Sequence, residues 1–219
     1  MPALRNDYDS DPSRWASRDP AVQMHGDVHQ PVAERLIRED LAPVLDVGGG
    51  QGTLAGLLPA GRLAVVIDLF PTQLAAAPEP KVLAHAGALP ISGGSVGAVA
   101  MLWMLYHLDE PAHAIREAKR VLHRGGLFVA STTSRNNDPE LTDGYPPTSF
   151  DAEEAPDLVA SVFQEVSVER WDAPMTLLAD NAAVLRYCHS HLLTPEAAGR
   201  VTPPVWLTKR GCLLYAYKK

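Results

Sequence analysis

The stretch VLDVGGGQG, residues 44–52, constrains the fold more than any other part of the sequence, because it joins an apolar run to four glycines. Glycines between a strand and a helix let the backbone approach a ligand closely and turn N–H groups towards it. A dinucleotide-binding loop has the spacing G-x-G-x-x-G, but Thr53 stands where its third glycine would be. The spacing Gly48, Gly50, Gly52 is present instead. The stretch predicts a binding loop for a nucleotide-like ligand and leaves open which one.

Apolar runs alternate with helical segments on both sides of this loop. The pattern predicts strands at 44–47, 63–67, 82–84, 96–102 and 127–130, and helices at 31–41, 53–58, 72–77 and 112–122. It then predicts helices at 155–163 and 181–192 and strands at 166–171 and 211–219, which could pair as an antiparallel hairpin. Strands separated by helices form a parallel sheet covered on both faces. We therefore predict an α/β fold with a doubly wound, mostly parallel sheet and an antiparallel C-terminal edge strand.

The chain of 219 residues suits a single domain, residues 1–219. Within it we predict an N-terminal lid segment at 1–30, a cofactor-binding core at 31–131, and an acceptor loop with the C-terminal sheet edge at 132–219. The loop at 132–149 has no periodicity and is either functional or disordered. Ligands of such sheets bind at the carboxyl ends of the strands, where this loop begins.

Composition limits the partners of the chain. A net charge of −7 argues against a nucleic-acid partner, because phosphate binding needs clustered Lys and Arg. No apolar stretch is long enough to span a membrane, so we expect no membrane partner. The two cysteines, Cys188 and Cys212, form no disulfide or zinc pattern. We expect a cytoplasmic protein, and the sequence leaves open whether it is a monomer or a homodimer.

Two aspartates lie at the ends of the first two predicted strands. Asp68 follows the loop by about 20 residues, where a carboxylate accepts hydrogen bonds from both hydroxyls of an adenosine ribose. NAD and S-adenosylmethionine both carry that sugar, so Asp68 does not distinguish them. Asp46 places a negative charge at the end of the first strand, which repels a pyrophosphate and suits an ammonium and a sulfonium group. Asp46, and not Asp68, therefore favours S-adenosylmethionine.

Five motifs, in their order and spacing, resemble one protein family. They are VLDVGGGQG, VVIDLF, AGALPISGGSVGAV, MLWMLYHLDEP and AIREAKRVLHRGGLFVAS, and the resemblance covers residues 32–131. Together they resemble the class I S-adenosylmethionine-dependent methyltransferases, and among these the bacterial small-molecule type described as methyltransferase type 11. The resemblance implies a Rossmann-like fold and S-adenosyl-L-methionine as the cofactor.

At the methionine end of the cofactor, the resemblance implies that the backbone of Gly48, Gly49 and Gly50 lies against the ligand, with Asp46 nearby. It also implies that Trp103 ends the fourth strand beside the methionine tail. A core aromatic residue is the other interpretation of Trp103.

At the adenosine end, the resemblance implies that Asp68 holds the ribose and that Leu69 packs on the adenine. His85 stands where the family has an aspartate that binds the adenine amino group, and this is a departure from the family pattern. Either a ring nitrogen of His85 or the backbone of Ala86 would then make the contact. The affinity of the pocket depends on this substitution.

Methyl transfer to a hydroxyl or an acidic carbon requires removal of a proton, in addition to alignment and exclusion of water. His107, in LYHLDEP just after the fourth strand, is the candidate base, and a structural role is its alternative. No residue spacing suggests a metal.

Other histidines and aromatic residues carry weaker hypotheses. His25 and His29 lie one helical turn apart and form either a polar lid surface or a substrate-facing pair. His113 and His123 belong to an exposed helix by pattern, and His189 and His191 are assigned no site. Tyr8, Trp15 and Tyr145 either close over the acceptor or simply pack.

We therefore predict an S-adenosylmethionine-dependent methyltransferase that acts on a small organic molecule, with O-methylation favoured over N- or C-methylation. The roof over the acceptor should come from residues 1–30, 132–150 and 172–200. An RNA methyltransferase, a nonenzymatic adenosyl-binding protein and a nicotinamide dehydrogenase are the alternatives.

Overall fold

A computed structural model describes the backbone of residues 23–24 and the whole of residues 27–219. In this part of the chain the strands are β1 (Gln23–Met24), β2 (Val44–Val47), β3 (Ala64–Asp68), β4 (Lys81–Leu83), β5 (Val96–Leu102), β6 (Leu122–Thr133), β7 (Ser167–Leu178) and β8 (Val205–Tyr217). The helices are α1 (His29–Arg38), α2 (Thr53–Leu57), α3 (Pro71–Leu74), α4 (Pro111–Val121), α5 (Ala155–Phe163), α6 (Asn181–Ser190) and α7 (Pro195–Ala198), with a 3-10 turn at Leu105–His107. The predicted lid residues Tyr8, Trp15 and His25 lie outside the described residues.

The strands form one sheet in the order β1-β7-β8-β6-β5-β2-β3-β4. Strands β4, β3, β2, β5 and β6 are mutually parallel, and β8 runs antiparallel between β6 and β7. The mostly parallel sheet and the antiparallel hairpin near its edge are confirmed. The C-terminal strand, β8, lies between β6 and β7 and not, as predicted, at the edge of the sheet. Its continuous buried run, Gly211–Ala216, is covered on both faces and suits this interior position.

Both faces of the sheet are buried. All seven residues of β5 are buried, and they alternate between two cores. Val99 and Met101 join the core beneath α4 and α5, whereas Ala98 and Ala100 join the core beneath α1 and α2. This double covering is the physical reason why the strand reads as an uninterrupted apolar run.

The boundaries differ from prediction mainly where the chain is less regular. Strands β6 and β7 are each 12 residues long and extend well beyond the predicted segments. His123 belongs to β6 and not, as predicted, to a helix. The short elements β1 and α7 were not predicted, because two to four residues carry no usable periodicity.

The segment after β6, predicted as a loop that is either functional or disordered, is held by a buried polar cluster. Asp138 is fully buried, and its carboxylate accepts hydrogen bonds from Tyr145 Oη at 2.9 Å, Tyr187 Oη at 2.8 Å and Lys209 Nζ at 2.7 Å. These partners come from the loop, from α6 and from β8. The cluster fixes the loop against the C-terminal part of the sheet, because a buried carboxylate is costly unless it is paired and hydrogen-bonded.

Candidate active site

A cavity of about 320 Å³ lies at the carboxyl ends of β2, β3, β4 and β5. The chain leaves β2 towards β3 and β4 on one side and returns to β5 on the other, so the strand order reverses here. Open α/β sheets bind their ligands at such a point. All ten residues predicted for the site line this cavity: Asp46, Gly48, Gly49, Gly50, Asp68, Leu69, His85, Ala86, Trp103 and His107.

The glycine loop uses its N–H groups within the protein. The N–H groups of Gly48 and Gly49 donate to the carbonyl oxygen of Ile67 at 2.7 and 3.3 Å, and that of Gly50 donates to Asp68 Oδ2 at 3.0 Å. The prediction that these glycines turn free N–H groups towards the ligand is wrong. A loop with its donors already used is a poor cradle for a phosphate. This geometry supports the argument against a dinucleotide.

Gly48 is required for two reasons. Its φ is +69°, which glycine adopts without strain, and a β-carbon there would lie 2.7 Å from Cβ of Met104. Met104 follows β5 and lines the same cavity. The glycine therefore lets the loop after β2 pack directly on the segment after β5.

Asp46 is the most strongly perturbed acid in the cavity. Its side chain is buried, and burial raises its pKa to about 6 from 3.8, with a smaller upward contribution from the charge of Asp68. The backbone N–H of Ala55 and the charge of His29 act in the opposite direction. Oδ2 of Asp46 has no hydrogen-bond partner among the described residues. A cationic ligand would supply the missing partner.

Asp68 is held in one orientation by the backbone. Its Oδ2 accepts from Gly50 N–H at 3.0 Å and its Oδ1 from Phe70 N–H at 2.9 Å. Each carboxylate oxygen can accept a second hydrogen bond, so capacity remains for two hydroxyl groups. Leu69, between Asp68 and Phe70, is 50% exposed and lines the cavity. An exposed leucine at this place offers an apolar surface for a ring.

His85 is oriented by two hydrogen bonds in series. The N–H of Gly87 donates to Nδ1 of His85 at 3.0 Å, and Nε2 of His113 lies 2.8 Å from the carbonyl oxygen of Gly87. Since Nδ1 accepts, the proton of the neutral ring is on Nε2, which makes Nε2 a donor. The predicted contact of a His85 ring nitrogen with the adenine amino group needs an acceptor, whereas Nε2–H donates and suits a ring nitrogen of adenine instead. Ala86, also predicted, is buried beside it.

Trp103 lies in a strained conformation at the end of β5. Its φ is +57°, which is rare for a bulky side chain and occurs most often at functional sites. Its N–H donates to Ser131 Oγ at 3.0 Å, and its ring contacts that of Trp171 edge-on with centroids 5.8 Å apart. Trp103 lines the cavity and also packs on the core, so its contact with the cofactor stays a prediction.

His107 ends the 3-10 turn after β5. Its N–H donates to the carbonyl oxygen of Met104 at 3.0 Å, and its ring lies 4.5 Å from the ring of Tyr106. Both rings line the cavity. The predicted base is therefore placed where a ligand can reach it.

Several cavity residues were not assigned to the site. His29, the first residue of α1, lines the cavity, as do Gln73, Tyr106 and Met104. His29 was one of a proposed lid pair, and its spacing alone did not show which of the two interpretations applied. No signal marked Gln73 in the sequence, because its position depends on how α3 packs.

Residues 45–130 match the family model described as a methyltransferase domain. A probable S-adenosylmethionine-dependent methyltransferase of Mycobacterium tuberculosis is 32% identical over 117 residues, which are 51% of this chain and 42% of that protein. The ubiquinone/menaquinone biosynthesis C-methyltransferase of Hahella chejuensis is 28% identical over 127 residues, 51% of each chain. The matches to these relatives thus cover only about half of their length.

The fold is shared with solved structures of low sequence identity. The crystal structure of the cyclase SpnF matches with a TM-score of 0.64 at 16% identity, covering 96% of this chain and 93% of that one. Part of this chain is thus similar to a methyltransferase domain and to S-adenosylmethionine-dependent methyltransferases, and the solved structure shows the fold that the chain shares. The matched residues 45–130 include every predicted cofactor residue and His107. The buried carboxylate of Asp46, whose Oδ2 has no hydrogen-bond partner among the described residues, would fit the cationic cofactor S-adenosylmethionine.

No helix among the described residues is long and apolar enough to cross a bilayer.

Proposed function

We propose that the chain transfers a methyl group from S-adenosylmethionine to a small organic acceptor, with O-methylation favoured over N- or C-methylation. One observation carries the proposal: the cavity lined by Asp46, whose buried Oδ2 has no partner among the described residues, is also lined by Trp103, Tyr106 and His107. A charged ligand and a flat or apolar acceptor could therefore meet in one cavity.

The cofactor lies across the ends of β2, β3 and β4 in this proposal. Asp46 accepts from the ammonium group, and the carboxylate of Asp68, fixed by two backbone donors, binds the ribose hydroxyls. Leu69 covers the adenine and His85 donates to one of its ring nitrogens through Nε2. When bound, the cofactor supplies an electrophilic methyl group on a cationic sulfur.

The size of the cavity and the net charge of the chain support a small acceptor. A cavity of about 320 Å³ is at the lower end of the range for ligand pockets, about 300–1,000 Å³, so little room remains beside the cofactor. The chain carries a net charge of −7, which opposes binding of a polyanion such as RNA.

The preference for oxygen rests on the histidines of the cavity. A hydroxyl must lose its proton as it is methylated, whereas a neutral amine can attack first and lose its proton afterwards. A ring nitrogen near the acceptor would take that proton, and His107 is the residue that the sequence predicts for this role. Because the chain is also similar to the C-methyltransferase of Hahella chejuensis, an acidic carbon is the next candidate for the methylated atom.

Calorimetry with S-adenosylmethionine and, separately, with NAD tests the cofactor. We expect binding of the first and none of the second, and Asp68→Ala should weaken binding while His189→Leu, an exposed residue on α6, should not. Binding of NAD alone would contradict the proposal.

Turnover is tested with radiolabelled S-adenosylmethionine and separate panels of phenols, carboxylic acids, amines and 1,3-dicarbonyl compounds. Label in the phenol or acid panel supports O-methylation. Tight cofactor binding without transfer to any panel would instead favour an adenosyl-binding protein without methyltransferase activity.

We also propose a cytoplasmic location, since Cys188 and Cys212 are both free and buried. Fractionation of cells that express the chain tests it.

A further inference from the structure

His29 differs from the other cavity histidines in the way it is held. Its Nδ1 lies 2.5 Å from Oδ1 of Asp27, and the same oxygen accepts the backbone N–H of His29 at 3.0 Å. A carboxylate only accepts hydrogen bonds, so Nδ1 carries the proton and the lone pair of the neutral ring is on Nε2. An Asp–His pair of this kind is the arrangement that orients a histidine as a general base.

The ring lies at the methionine end of the cavity. His29 lines the cavity, its side chain is 18% exposed, and it is near enough to Asp46 for a positive charge on the ring to lower the pKa of that acid. Asp46 is the residue that the proposed function places at the ammonium group. With Nδ1 engaged by Asp27, the ring nitrogen left to the cavity is Nε2.

We propose that His29, oriented by Asp27, is the general base that deprotonates the acceptor during methyl transfer. This inference rests on the proposed function. Nε2 takes the proton of the acceptor hydroxyl while the electron pair of the oxygen forms the new bond to the methyl carbon. The pair of the broken carbon–sulfur bond stays on sulfur, and the imidazolium returns its proton to water. Asp27 and Asp46 are the carboxylates that stabilise the imidazolium.

The geometry favours His29 over His107 for this role. The ring of His29 contacts the carboxylate of Asp27, whereas the ring of His107 packs on Tyr106 and that of His85 accepts a hydrogen bond from a backbone N–H. A carboxylate on Nδ1 fixes the tautomer and orientation of the ring and leaves Nε2 as the acceptor. His107 then serves to shape the cavity wall.

The analogue sinefungin tests whether the lone pair on Nε2 of His29 faces the transferred methyl group, and it does so without a methyl acceptor. In this analogue a carbon bearing an amino group replaces the methylated sulfur, so an ammonium lies where the transferred methyl would be. S-adenosylhomocysteine lacks that group. If Nε2 of His29 faces this point, it accepts a charge-assisted hydrogen bond from sinefungin, and wild type should prefer sinefungin over S-adenosylhomocysteine by about tenfold.

Calorimetry of four proteins with both ligands gives the result. We expect His29→Leu to reduce the preference to about unity while its affinity for S-adenosylhomocysteine stays within about threefold of wild type. Asp27→Ala should reduce the preference in part, because the ring is no longer oriented. His107→Leu should keep it.

Other outcomes overturn the inference. A preference lost in His107→Leu and kept in His29→Leu would make His107 the base, and a wild type without preference would place no base at the methyl group. Failure of wild type to bind S-adenosylhomocysteine would refute the proposed function itself. A His29→Leu protein with normal affinity for S-adenosylhomocysteine is folded, so loss of the preference cannot be attributed to misfolding.

Discussion

The substitution Asp46→Asn measures the free energy that burial of the Asp46 charge costs the folded protein. The pKa of Asp46 rises from 3.8 to about 6 on folding, chiefly through burial. At about 1.4 kcal/mol per pKa unit, ionised Asp46 costs the folded protein about 3 kcal/mol above pH 6. Because the folded pKa is raised, this cost is absent below pH 4 and develops as the pH rises from about 4 to 6. Asparagine cannot ionise, so the variant lacks this pH dependence.

Thermal unfolding of both proteins without ligand, at pH 4 and pH 8, isolates the effect. The difference in Tm between variant and wild type should grow in favour of Asp46→Asn by roughly 6–12 °C between the two pH values, since 1 kcal/mol corresponds to roughly 2–4 °C in a domain of this size. Groups that titrate in both proteins cancel in the difference, as does the cost of burying the amide. A difference in Tm that does not change with pH would refute the reasoning.

The same variant should bind the cofactor less well. The ammonium of S-adenosylhomocysteine loses a charge-assisted hydrogen bond, and we expect the Kd at pH 8 to rise about 10- to 100-fold. Stabilisation without ligand combined with weaker binding is the signature of a site that holds an unpaired charge for its ligand. An unchanged Kd would show that Asp46 does not face the ammonium group.

Three further predictions follow from the packing. Gly49→Ala should raise the Kd for S-adenosylhomocysteine at least about tenfold, because its β-carbon would lie 2.5 Å from Cγ of Asp46 and displace the carboxylate; calorimetry checks this, and an unaltered Kd would count against it. Tyr187→Phe removes a hydrogen bond from buried Asp138 and should lower the free energy of unfolding by about 1–3 kcal/mol, measured in urea, while leaving cofactor affinity unchanged. His85→Leu removes the donor from the adenine end and should weaken binding of adenosine and S-adenosylhomocysteine by a similar factor; loss confined to one of them would contradict the assignment.

The sequence predicted the cofactor half of the fold because its signals are local. Strands β2 and β5 were predicted to the residue, since buried parallel strands are continuous apolar runs. Residues at the carboxyl ends of these strands can be placed once the strands are predicted, and all of the predicted site residues line the cavity. By contrast, the place of β8 between β6 and β7 depends on pairing between distant segments, which no local pattern encodes.

The features of the site that the sequence did not predict depend on which atoms form hydrogen bonds with each other. A histidine in the sequence does not show which ring nitrogen accepts, and this detail separates His85, a donor to the cavity, from His29, an acceptor. Likewise, glycine spacing predicts that a backbone approaches a ligand but not whether its N–H groups are free. The sequence therefore located the residues, and the hydrogen bonds decide their chemistry.

Two of these details act together in the choice of cofactor. The N–H groups of Gly48, Gly49 and Gly50 donate hydrogen bonds within the protein, so these residues offer few free donors to a pyrophosphate. The carboxylate of Asp46 remains buried and only partly satisfied beside it, which adds repulsion for an anion and attraction for a cation. The combination of the two features discriminates by charge, because an anionic ligand meets a buried carboxylate with no partner on Oδ2, whereas a cationic ligand supplies that partner.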